Sequence, residues 1–480
     1  MRKNLLFVIV VLLLSIVARG QGKILYDLID LGTLGGNFSW ACSINDNGQI
    51  VGWSYADPSP PGLPAPPGMQ PAATLFDPTG NGNNVNLRGL GDVEQGAGTS
   101  INARGQIVGY CGGLPMSNRA TLFDPTGNGN NIDLGIVGDC YSSEPFSINE
   151  DGLIVGASHG IFLLPFRAIS RATLFCMNNP NNNINLGTLG GDFSGAYSIN
   201  NAGQIVGYAT TASDCWSDCG HATLFDSTGS GNNTSLGILA GYSRSTAYSI
   251  NDAGIIVGVS ETYFDAPVSA LQRATLFDPT GSGSNIDLGT LGGDSSLARS
   301  INSSAEIVGY AQDSSGVQRA TMFDRSGNGN NIDLNNLIDP ALGWELTYAT
   351  SINDHGWIVG VMSKANYYSH AFLLVPITIS PDEQIQEILD FIETSVSEGT
   401  LEGVGPGKSA DNRLNALINM LESTSDLIVG EYFDDAYAHL VDVLKKCDGQ
   451  VPAPDFVSGE GREELAQMIM ELMEDLVGEE

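Results

Sequence analysis

Five similar loops place oxygen-bearing side chains at the spacing of a metal site. Each loop has Asp at position one, a hydroxyl side chain at three, Asn or Ser at five and Gly at six, which is the pattern of a calcium-binding loop. However, position three lacks a carboxylate and no acid stands near position twelve, so an Asx-type turn at a hairpin tip accounts for the same residues. The candidate calcium ligands are Asp77, Asp124, Asp226, Asp278 and Asp324.

A second candidate site is a set of aromatic residues in and beside connecting loops. These loops differ in length from one part of the chain to another. Aromatic side chains of this kind stack on sugar rings or anchor a protein ligand, and they also pin loops in place. Both interpretations fit the sequence. The candidate ligand-binding residues are Trp53, Tyr55, Trp216, Tyr263, Phe264, Tyr367 and Tyr368.

Catalytic patterns are weak in this sequence. The five His residues form no constellation with a Ser or Cys nucleophile, and no two acids are singled out as a glycosidase pair. The sequence therefore predicts a binding or scaffold protein without a cofactor, apart from the calcium considered above. The alternatives are a hydrolase or lyase that acts on extracellular polysaccharide and a calcium-stabilised surface protein.

Charge and targeting signals restrict the partners. The 480 residues carry a formal charge of −34, which disfavours nucleic acid and anionic lipid because both require a basic surface. Residues 1–20 combine Arg2 and Lys3, an apolar run and a small-x-small site, which predicts a cleaved secretory signal. We expect a secreted or cell-surface protein without a membrane span, with a glycan or an extracellular protein as ligand. Cys215 and Cys219 are the most plausible disulfide pair.

The candidate residues are embedded in a repeat. The segment Ser-Ile-Asn-x-x-Gly-x-Ile-Val-Gly occurs in seven copies at intervals of 47 to 57 residues, with Ala replacing the first Gly in the sixth copy. Asn and Gly fit a tight turn between two β-branched strands. An Ala-Thr-Leu-Phe strand and an Asp-Leu-Gly strand follow each of the first six copies, and the seventh is followed by Ala371-Phe-Leu-Leu alone. The copies begin at Ser43, Ser100, Ser147, Ser198, Ser249, Ser300 and Ser351.

Four short strands in about 50 residues, repeated in this way, predict a β-propeller. The chain enters the repeats with an Asp-Leu-Gly strand and leaves them with the Ala371 strand, so the two ends can complete the seventh blade together and remove an open sheet edge. We therefore predict a mainly β fold, a seven-bladed propeller over residues 21–379. An open β-solenoid is the alternative.

Departures from the repeat predict local consequences. In the sixth copy Ala305 replaces the turn Gly, so we expect a left-handed non-Gly residue or an altered turn. An Arg or His usually precedes the Ala-Thr strand, and its recurrence predicts a recurring structural partner. These residues are Arg119, Arg171, His221, Arg273, Arg319 and His370.

The composition changes after residue 379. Ser380, Pro381 and Glu383 form an N-terminal helix signal, and apolar residues then recur at helical spacing in four segments. Residues 381–480 hold 24 acidic and 5 basic residues. We predict a small all-α domain of about four helices over residues 380–480, with solvated acidic faces.

The linked motifs resemble the HAF repeat, a family of probable extracellular bacterial repeats, over residues 24–374. The resemblance rests on Arg-Ala-Thr-Leu-Phe-Asp, Asp-Leu-Gly-Thr-Leu-Gly-Gly-Asp and Ser-Ile-Asn-x-x-Gly-x-Ile-Val-Gly in fixed order. It implies export and a propeller-like fold, and it brings no catalytic residues. The helical region is faintly similar to the FIMAH module that ends various exported bacterial proteins.

Overall fold

The computed structural model describes residues 25–56, 71–91, 93–112, 118–163, 166–212, 219–262, 271–364, 368–377, 379–449 and 455–478. The chain forms two compact units, with the division between Pro376 and Ile377. The first is a seven-bladed β-propeller and the second is helical. Both parts of the fold prediction are therefore confirmed.

Each blade is a four-stranded antiparallel sheet. The first three blades contain β2 (Ser39–Ile44), β3 (Ile50–Ser54), β4 (Ala72–Phe76), β5 (Val85–Asn86), β6 (Gly96–Ile101), β7 (Ile107–Cys111), β8 (Arg119–Phe123), β9 (Ile132–Gly135), β10 (Ser142–Ile148), β11 (Ile154–Leu163), β12 (Phe166–Phe175) and β13 (Ile184–Asn185). The next three contain β14 (Ser194–Ile199), β15 (Ile205–Thr210), β16 (Gly220–Phe225), β17 (Thr234–Gly237), β18 (Arg244–Ile250), β19 (Ile256–Glu261), β20 (Gln272–Phe277), β21 (Ile286–Asp287), β22 (Gly292–Ile301), β23 (Ile307–Asp313), β24 (Gln318–Phe323) and β25 (Ile332–Asp333).

The seventh blade is assembled from both ends of the propeller sequence. It consists of β1 (Tyr26–Asp30), β26 (Glu345–Ile352), β27 (Ile358–Lys364) and β28 (Tyr368–Pro376). Strand β1 pairs antiparallel with β28, from Tyr26 opposite Pro376 to Asp30 opposite Phe372. This is the predicted closure, and it gives the last blade its outer strand. Short 3₁₀ helices are Pro180–Asn182, Leu334–Leu337 and Pro340–Leu342.

The first strand of each blade is the inner strand of the propeller. Each inner strand contacts the inner strands of both neighbouring blades, and β26 contacts β2, so the circle is closed. Apolar side chains from adjacent blades pack between the sheets. Between the seventh and first blades, for example, Leu31, Ile50 and Val359 are fully buried in one cluster.

Seven asparagine side chains tie the inner strands together at the turn that ends each one. Every Nδ2 atom donates to the backbone carbonyl of the equivalent Asn in the next blade at 2.8 to 3.1 Å, and Asn353 donates to Asn45. Each such bond contributes about 1 kcal/mol net. We call this the Asn ring: Asn45, Asn102, Asn149, Asn200, Asn251, Asn302 and Asn353.

A second set of asparagines links the blades further out. Asn84 Oδ1 accepts from the backbone N–H of Asp77 at 2.8 Å, and its Nδ2 donates to the carbonyl of Leu31 in the preceding blade at 2.8 Å. The repeated loop therefore joins neighbouring blades as well as two strands of its own blade. The equivalent residues are Asn84, Asn131, Asn183, Asn233, Asn285 and Asn331.

The helical unit buries one apolar face of each helix. Its helices are α1 (Pro381–Glu398), α2 (Lys408–Val429), α3 (Phe433–Leu444) and α4 (Arg462–Gly478), and β29 (Glu402–Gly403) pairs with β30 (Val457–Ser458). Helix α1 starts as predicted, because Glu383 Oε2 accepts from the backbone N–H of Ser380 at 3.1 Å. Ile388, Leu421 and Leu472 are among its buried core residues. Every helix in the described residues is too short or too polar to cross a membrane.

Candidate functional site: the propeller channel

A β-bulge at the same place in all seven inner strands directs one side chain per blade to the inner edge. In the first blade Ala41 pairs with Gly52 and Ser43 pairs with Val51, which leaves Cys42 unpaired in the bulge. A bulge re-aims the side chain of its extra residue. The bulge residues are Cys42, Thr99, Phe146, Tyr197, Tyr248, Arg299 and Thr350.

The last Gly of the repeated Ile-Val-Gly segment explains why the bulge recurs. A Cβ atom on Gly52 would overlap the backbone carbonyl of Trp40 on the partner strand, and the same overlap occurs at the equivalent glycine of every blade. Only Gly permits this close approach of two backbones. The motif therefore builds the bulge, while the residue inside the bulge is free to vary.

Four of the bulge residues form a continuous arc across neighbouring blades. The Tyr197 ring lies 5.0 Å from Phe146 and 5.5 Å from Tyr248, measured between ring centroids. The Arg299 guanidinium lies 5.0 Å from the centroid of Tyr248. All four side chains are only partly buried. The arc thus gives one side of the channel an accessible aromatic wall that ends in a cation.

Two of the remaining bulge positions are small and hydrogen-bonded. The Thr99 hydroxyl donates to the carbonyl of Pro145 at 2.8 Å, and the Thr350 hydroxyl donates to the carbonyl of Ala41 at 2.7 Å. Both bonds cross to the next blade. With Cys42 between them, these short side chains leave more room on their side of the channel than the aromatic arc does.

A second aromatic cluster lies two residues before the bulge, on the side with the small residues. Trp40 and Trp53 stack with an interplanar angle of 11° at 6.2 Å, and Tyr55 contacts Trp53 edge-on. On the other side of Trp40, Tyr348 contacts it edge-on and also contacts Tyr310. Each of these rings is partly exposed. We call this the tryptophan cluster.

The channel tyrosines and thiol are held in their protonated forms. Burial raises the pKa of Tyr310 to about 12, and it does the same for Tyr110, which lies on β7 close to Cys42. It raises the pKa of Tyr197 well above its usual value. Burial also raises the pKa of Cys42 to about 12, although the charge of Arg299 opposes the shift. At neutral pH these groups are therefore hydrogen-bond donors, and Cys42 is a poor nucleophile.

The acids nearest these tyrosines already have partners. Glu261 forms an ion pair with Arg244 at 2.6 Å, and Glu144 accepts a hydrogen bond from Asn118 Nδ2 at 2.6 Å. Burial lowers the pKa of His159, with the charge of Glu144 opposing it, so this imidazole tends to be neutral. Arg244 therefore compensates the charge of Glu261, whereas the neutral Asn118 amide brings no charge to Glu144.

The predicted ligand-binding aromatics divide between described and undescribed positions. Trp53 and Tyr55 lie in the tryptophan cluster. Tyr368 begins β28. Trp216, Tyr263, Phe264 and Tyr367 lie outside the described residues.

Sequence reasoning missed the residues that are most central to the channel. Tyr197, Tyr248 and Arg299 stand directly before Ser-Ile-Asn, and Trp40 stands three residues before it. A signal was available, because the position before an invariant triplet varies from Cys to Arg among the copies. To identify these residues as channel residues, one also needs to know that a bulge occurs at that position.

The candidate calcium loops are closed by their own hydrogen bonds. In the first loop Asp77 Oδ1 accepts from the Thr79 hydroxyl at 2.6 Å, and Oδ2 accepts from Asn83 Nδ2 at 3.0 Å. These bonds lower the pKa of Asp77. The four other loops repeat the Asp-to-hydroxyl bond: Asp124, Asp226, Asp278 and Asp324.

This arrangement favours the Asx-turn interpretation of the loops, because loop donors already contact the carboxylate oxygens. In the described ranges, no group of three or more His, Cys, Asp or Glu side chains could hold a metal ion. Calcium binding stays a prediction, and melting curves with and without a chelator test it.

The recurring Arg or His before the Ala-Thr strand has the predicted structural partner. Arg119 pairs with Asp133 at 2.7 Å, His370 with Asp30 at 2.9 Å, and the Arg171 guanidinium donates to the carbonyl of Asp192. The first two partners lie on the outer strand of the same blade. These side chains therefore stabilise the blades.

One segment, residues 156–160, matches the Gly-x-Ser-x-Gly pattern of a nucleophile elbow. Ser158 is fully buried in the middle of β11, and its hydroxyl bonds to that of Thr173 at 3.0 Å. An elbow requires a sharp strand-to-helix turn that exposes the serine. The segment is therefore an ordinary strand.

The cysteines fit a minor role for disulfides. Cys219 is disulfide-bonded, and its predicted partner Cys215 lies outside the described residues. Five cysteines are free, namely Cys42, Cys111, Cys140, Cys176 and Cys447.

In a comparison with known proteins, part of the chain matches a family whose function is not determined. A family model described as "Protein of unknown function (DUF3466)" matches residues 240–375, a range that contains β18 to β27 and all but the last residue of β28, and so most of the last three blades. No curated protein matches the chain.

Proposed function

We propose that this protein is an exported, non-enzymatic binding protein whose propeller channel holds a glycan. The proposal rests on one observation above all: partly exposed aromatic rings line the channel from Phe146 to Tyr248 and again in the tryptophan cluster. Aromatic side chains combine a large apolar face with a polar edge, which suits the alternating faces and hydroxyls of sugars.

A glycan fits the position of these rings better than a folded protein does. Trp40, Tyr197 and Tyr248 lie on inner strands, so a ligand reaches them only by entering the ring of blades. A slender chain end can do so, whereas a folded partner would contact mainly the outer loops. Capture of a protein ligand is the competing outcome of the test below.

The protonation states support binding over catalysis. The phenols of Tyr110 and Tyr310 and the thiol of Cys42 have pKa values of about 12, so they remain protonated at neutral pH. They can donate hydrogen bonds to sugar oxygens but are poor bases and nucleophiles. Glu144 and Glu261 are engaged by neighbouring side chains.

Export is part of the proposal because residues 1–20 have the pattern of a secretory signal. We expect the native host to release a chain that lacks this segment. Mass spectrometry of the protein from culture supernatant and from cells tests this expectation. A full-length chain found only inside the cells would contradict it.

The experiment is a glycan array with the full mature chain, followed by calorimetry on the best ligands. Trp53→Ala should weaken binding by about tenfold or more, because stacking aromatics supply much of the affinity at such sites. Trp344→Ala is the matched control, since Trp344 contacts His370 and Lys364 instead of the tryptophan cluster.

Three results would contradict the proposal. The first is an absence of glycan binding across the array. The second is equal loss of affinity in the Trp53 and Trp344 variants, which would place the ligand elsewhere. The third is release of reducing ends from a bound polysaccharide, which would favour the enzymatic alternative.

A further inference from the structure

The channel contains a cation that its surroundings do not neutralise. Arg299 occupies the bulge of β22, and in the described part of the chain its side chain forms neither an ion pair nor a hydrogen bond. Its contact is with the ring of Tyr248, 5.0 Å from guanidinium to centroid. The side chain is partly exposed, so its five N–H donors are open to water or to a ligand.

Other arginines of the blades differ from Arg299 in this respect. Arg119 pairs with Asp133, Arg244 with Glu261 and Arg319 with Asp313. Each of these pairs lies within one blade and leaves little positive charge for a ligand. Among the described residues Arg299 forms no such pair, although the chain carries a net charge of −34.

The field of Arg299 reaches most of the channel wall. Its charge acts to lower the pKa of Tyr197, Tyr248 and Tyr348, and that of Cys42 in the first blade, although burial dominates and raises all four. The guanidinium thus lies within electrostatic range of the aromatic arc and of the tryptophan cluster. A ligand stacked on either group would come close to it.

We infer that Arg299 binds the carboxylate of a uronic acid at the end of the glycan, an inference that rests on the proposed function. The planar guanidinium fork matches a carboxylate in a bidentate pair. The one cation of the described channel wall balances the single charge of a carboxylate better than the double charge of a phosphate monoester. The overall charge of −34 also opposes polyanions and favours a largely neutral chain with one acid.

The neighbouring residues complete the recognition. The Tyr248 ring supports one face of the guanidinium and so orients its fork. Protonated Tyr197 and Tyr348 offer hydroxyl donors to the remaining sugar oxygens. Opposite the arc, the bulge residues Cys42 and Thr99 have short side chains.

The test is an array of neutral oligosaccharides that each end in glucuronic, galacturonic, mannuronic or iduronic acid, printed beside carboxyl-reduced twins. The full mature chain should prefer at least one acid over its twin by about tenfold or more, because a charge-assisted pair discriminates at that level. The preference should shrink as salt is raised, since screening weakens it.

Variants then assign the preference to one residue. Arg299→Gln should abolish the preference by lowering affinity for the acid far more than affinity for the reduced twin, and Arg299→Lys should restore part of it because the charge remains without the fork. Arg104→Gln is the matched control, since Arg104 is exposed at the turn between β6 and β7. Melting curves of the Gln and Lys variants check that both remain folded.

The outcomes separate this inference from the function on which it rests. Equal binding of acids and reduced twins, or an acid preference that survives Arg299→Gln, overturns the inference and leaves glycan binding intact. Failure to bind any glycan overturns both. A peptide with a free C-terminal carboxylate that binds in an Arg299-dependent way, while uronic acids do not, would also overturn the inference.

Discussion

The bulge position of each inner strand and the ring asparagine in the turn that follows it are only three residues apart. From blade to blade, the first position varies and the second does not. The Asn ring has the same residue in all seven blades, whereas the bulge position carries Cys, Thr, Phe, Tyr, Tyr, Arg and Thr. Backbone geometry is the same from blade to blade at both positions. The difference therefore arises from the interactions of the side chains, because the backbone conformation is the same.

The Asn ring is uniform because each member has several partners. Asn200 Oδ1 accepts from the backbone N–H of Gln204 at 2.8 Å, while its Nδ2 donates to the carbonyl of Asn251 at 3.0 Å. Another side chain would leave buried polar groups unpaired in two blades. At the bulge the described aromatic side chains mostly contact one another and line the channel. Closure of the propeller therefore does not require a particular residue at this position.

The largest effect should come from breaking the Asn ring. Asn200→Ala removes the turn acceptor and the bond to the next blade, so we expect the free energy of unfolding to fall by about 2 to 3 kcal/mol. Asn200→Asp keeps the turn acceptor but sets a buried carboxylate oxygen against the carbonyl of Asn251, so it should lose at least as much. Urea denaturation followed by circular dichroism measures both. A loss below about 0.5 kcal/mol for the Ala variant would mean that the ring is dispensable.

The sixth blade departs from the uniform pattern at Glu306. Gln occupies the equivalent position in three other blades, and there its Oε1 atom accepts from the ring asparagine. Glu306 is 3% exposed, its Oε2 accepts from Asn302 at 2.6 Å, and its Oε1 has no partner among the described residues. Asp354 and Tyr26 lie near this carboxyl. Burial, with a smaller contribution from Asp354, raises the pKa of Glu306.

Glu306→Gln should therefore stabilise the propeller by about 1 kcal/mol at pH 7. Because the folded state binds this proton more tightly than the unfolded state, the native protein loses stability as the pH rises from about 4.3 through the raised pKa, and the Gln variant lacks this loss. Denaturation curves at pH 4 and pH 7 measure the difference. The reverse change Gln204→Glu is the control and should destabilise; stabilisation by both changes would refute the explanation.

A smaller effect is expected at the neighbouring Ala305. Its φ is +66°, slightly below the +72° to +81° of the turn glycines in the other blades, and the Ala305 N–H still donates to the carbonyl of Asn302 at 3.1 Å. A non-Gly residue in this conformation costs about 1 kcal/mol. Ala305→Gly should raise the melting temperature slightly, and Gly254→Ala in the fifth blade should lower it. Equal and opposite shifts would support strain as the cause, and no shift in either variant would exclude it.

The repeat made much of the propeller predictable from sequence. Seven copies with four strands each, and complementary strands at the two ends, indicated the closed ring that β1 and β28 form. The left-handed residue at Ala305 followed from the missing Gly. Local chemistry was sufficient in these cases because the interactions are short-range or repeated.

The site was less predictable because it depends on interactions between repeats. Asn45 was interpreted as a turn residue, which is correct, but its bond to Asn102 joins residues 57 positions apart in sequence. Trp53 and Tyr55 were identified by residue type, whereas Tyr197 and Arg299 reach the channel through a bulge that requires a Gly on the partner strand. No pattern within a single strand indicates that pairing.

The smallest effect on stability should come from the variable position itself. The Tyr248 hydroxyl has no hydrogen-bond partner among the described residues, and the phenyl ring alone maintains the contacts with Tyr197 and Arg299. Tyr248→Phe should therefore change the free energy of unfolding by less than about 0.5 kcal/mol. If the hydroxyl is instead reserved for a ligand, the same variant should weaken glycan binding severalfold, as calorimetry would detect. A large fall in the free energy of unfolding with unchanged glycan affinity would contradict a binding role for Tyr248. The bulge residues would then be structural, like the Asn ring.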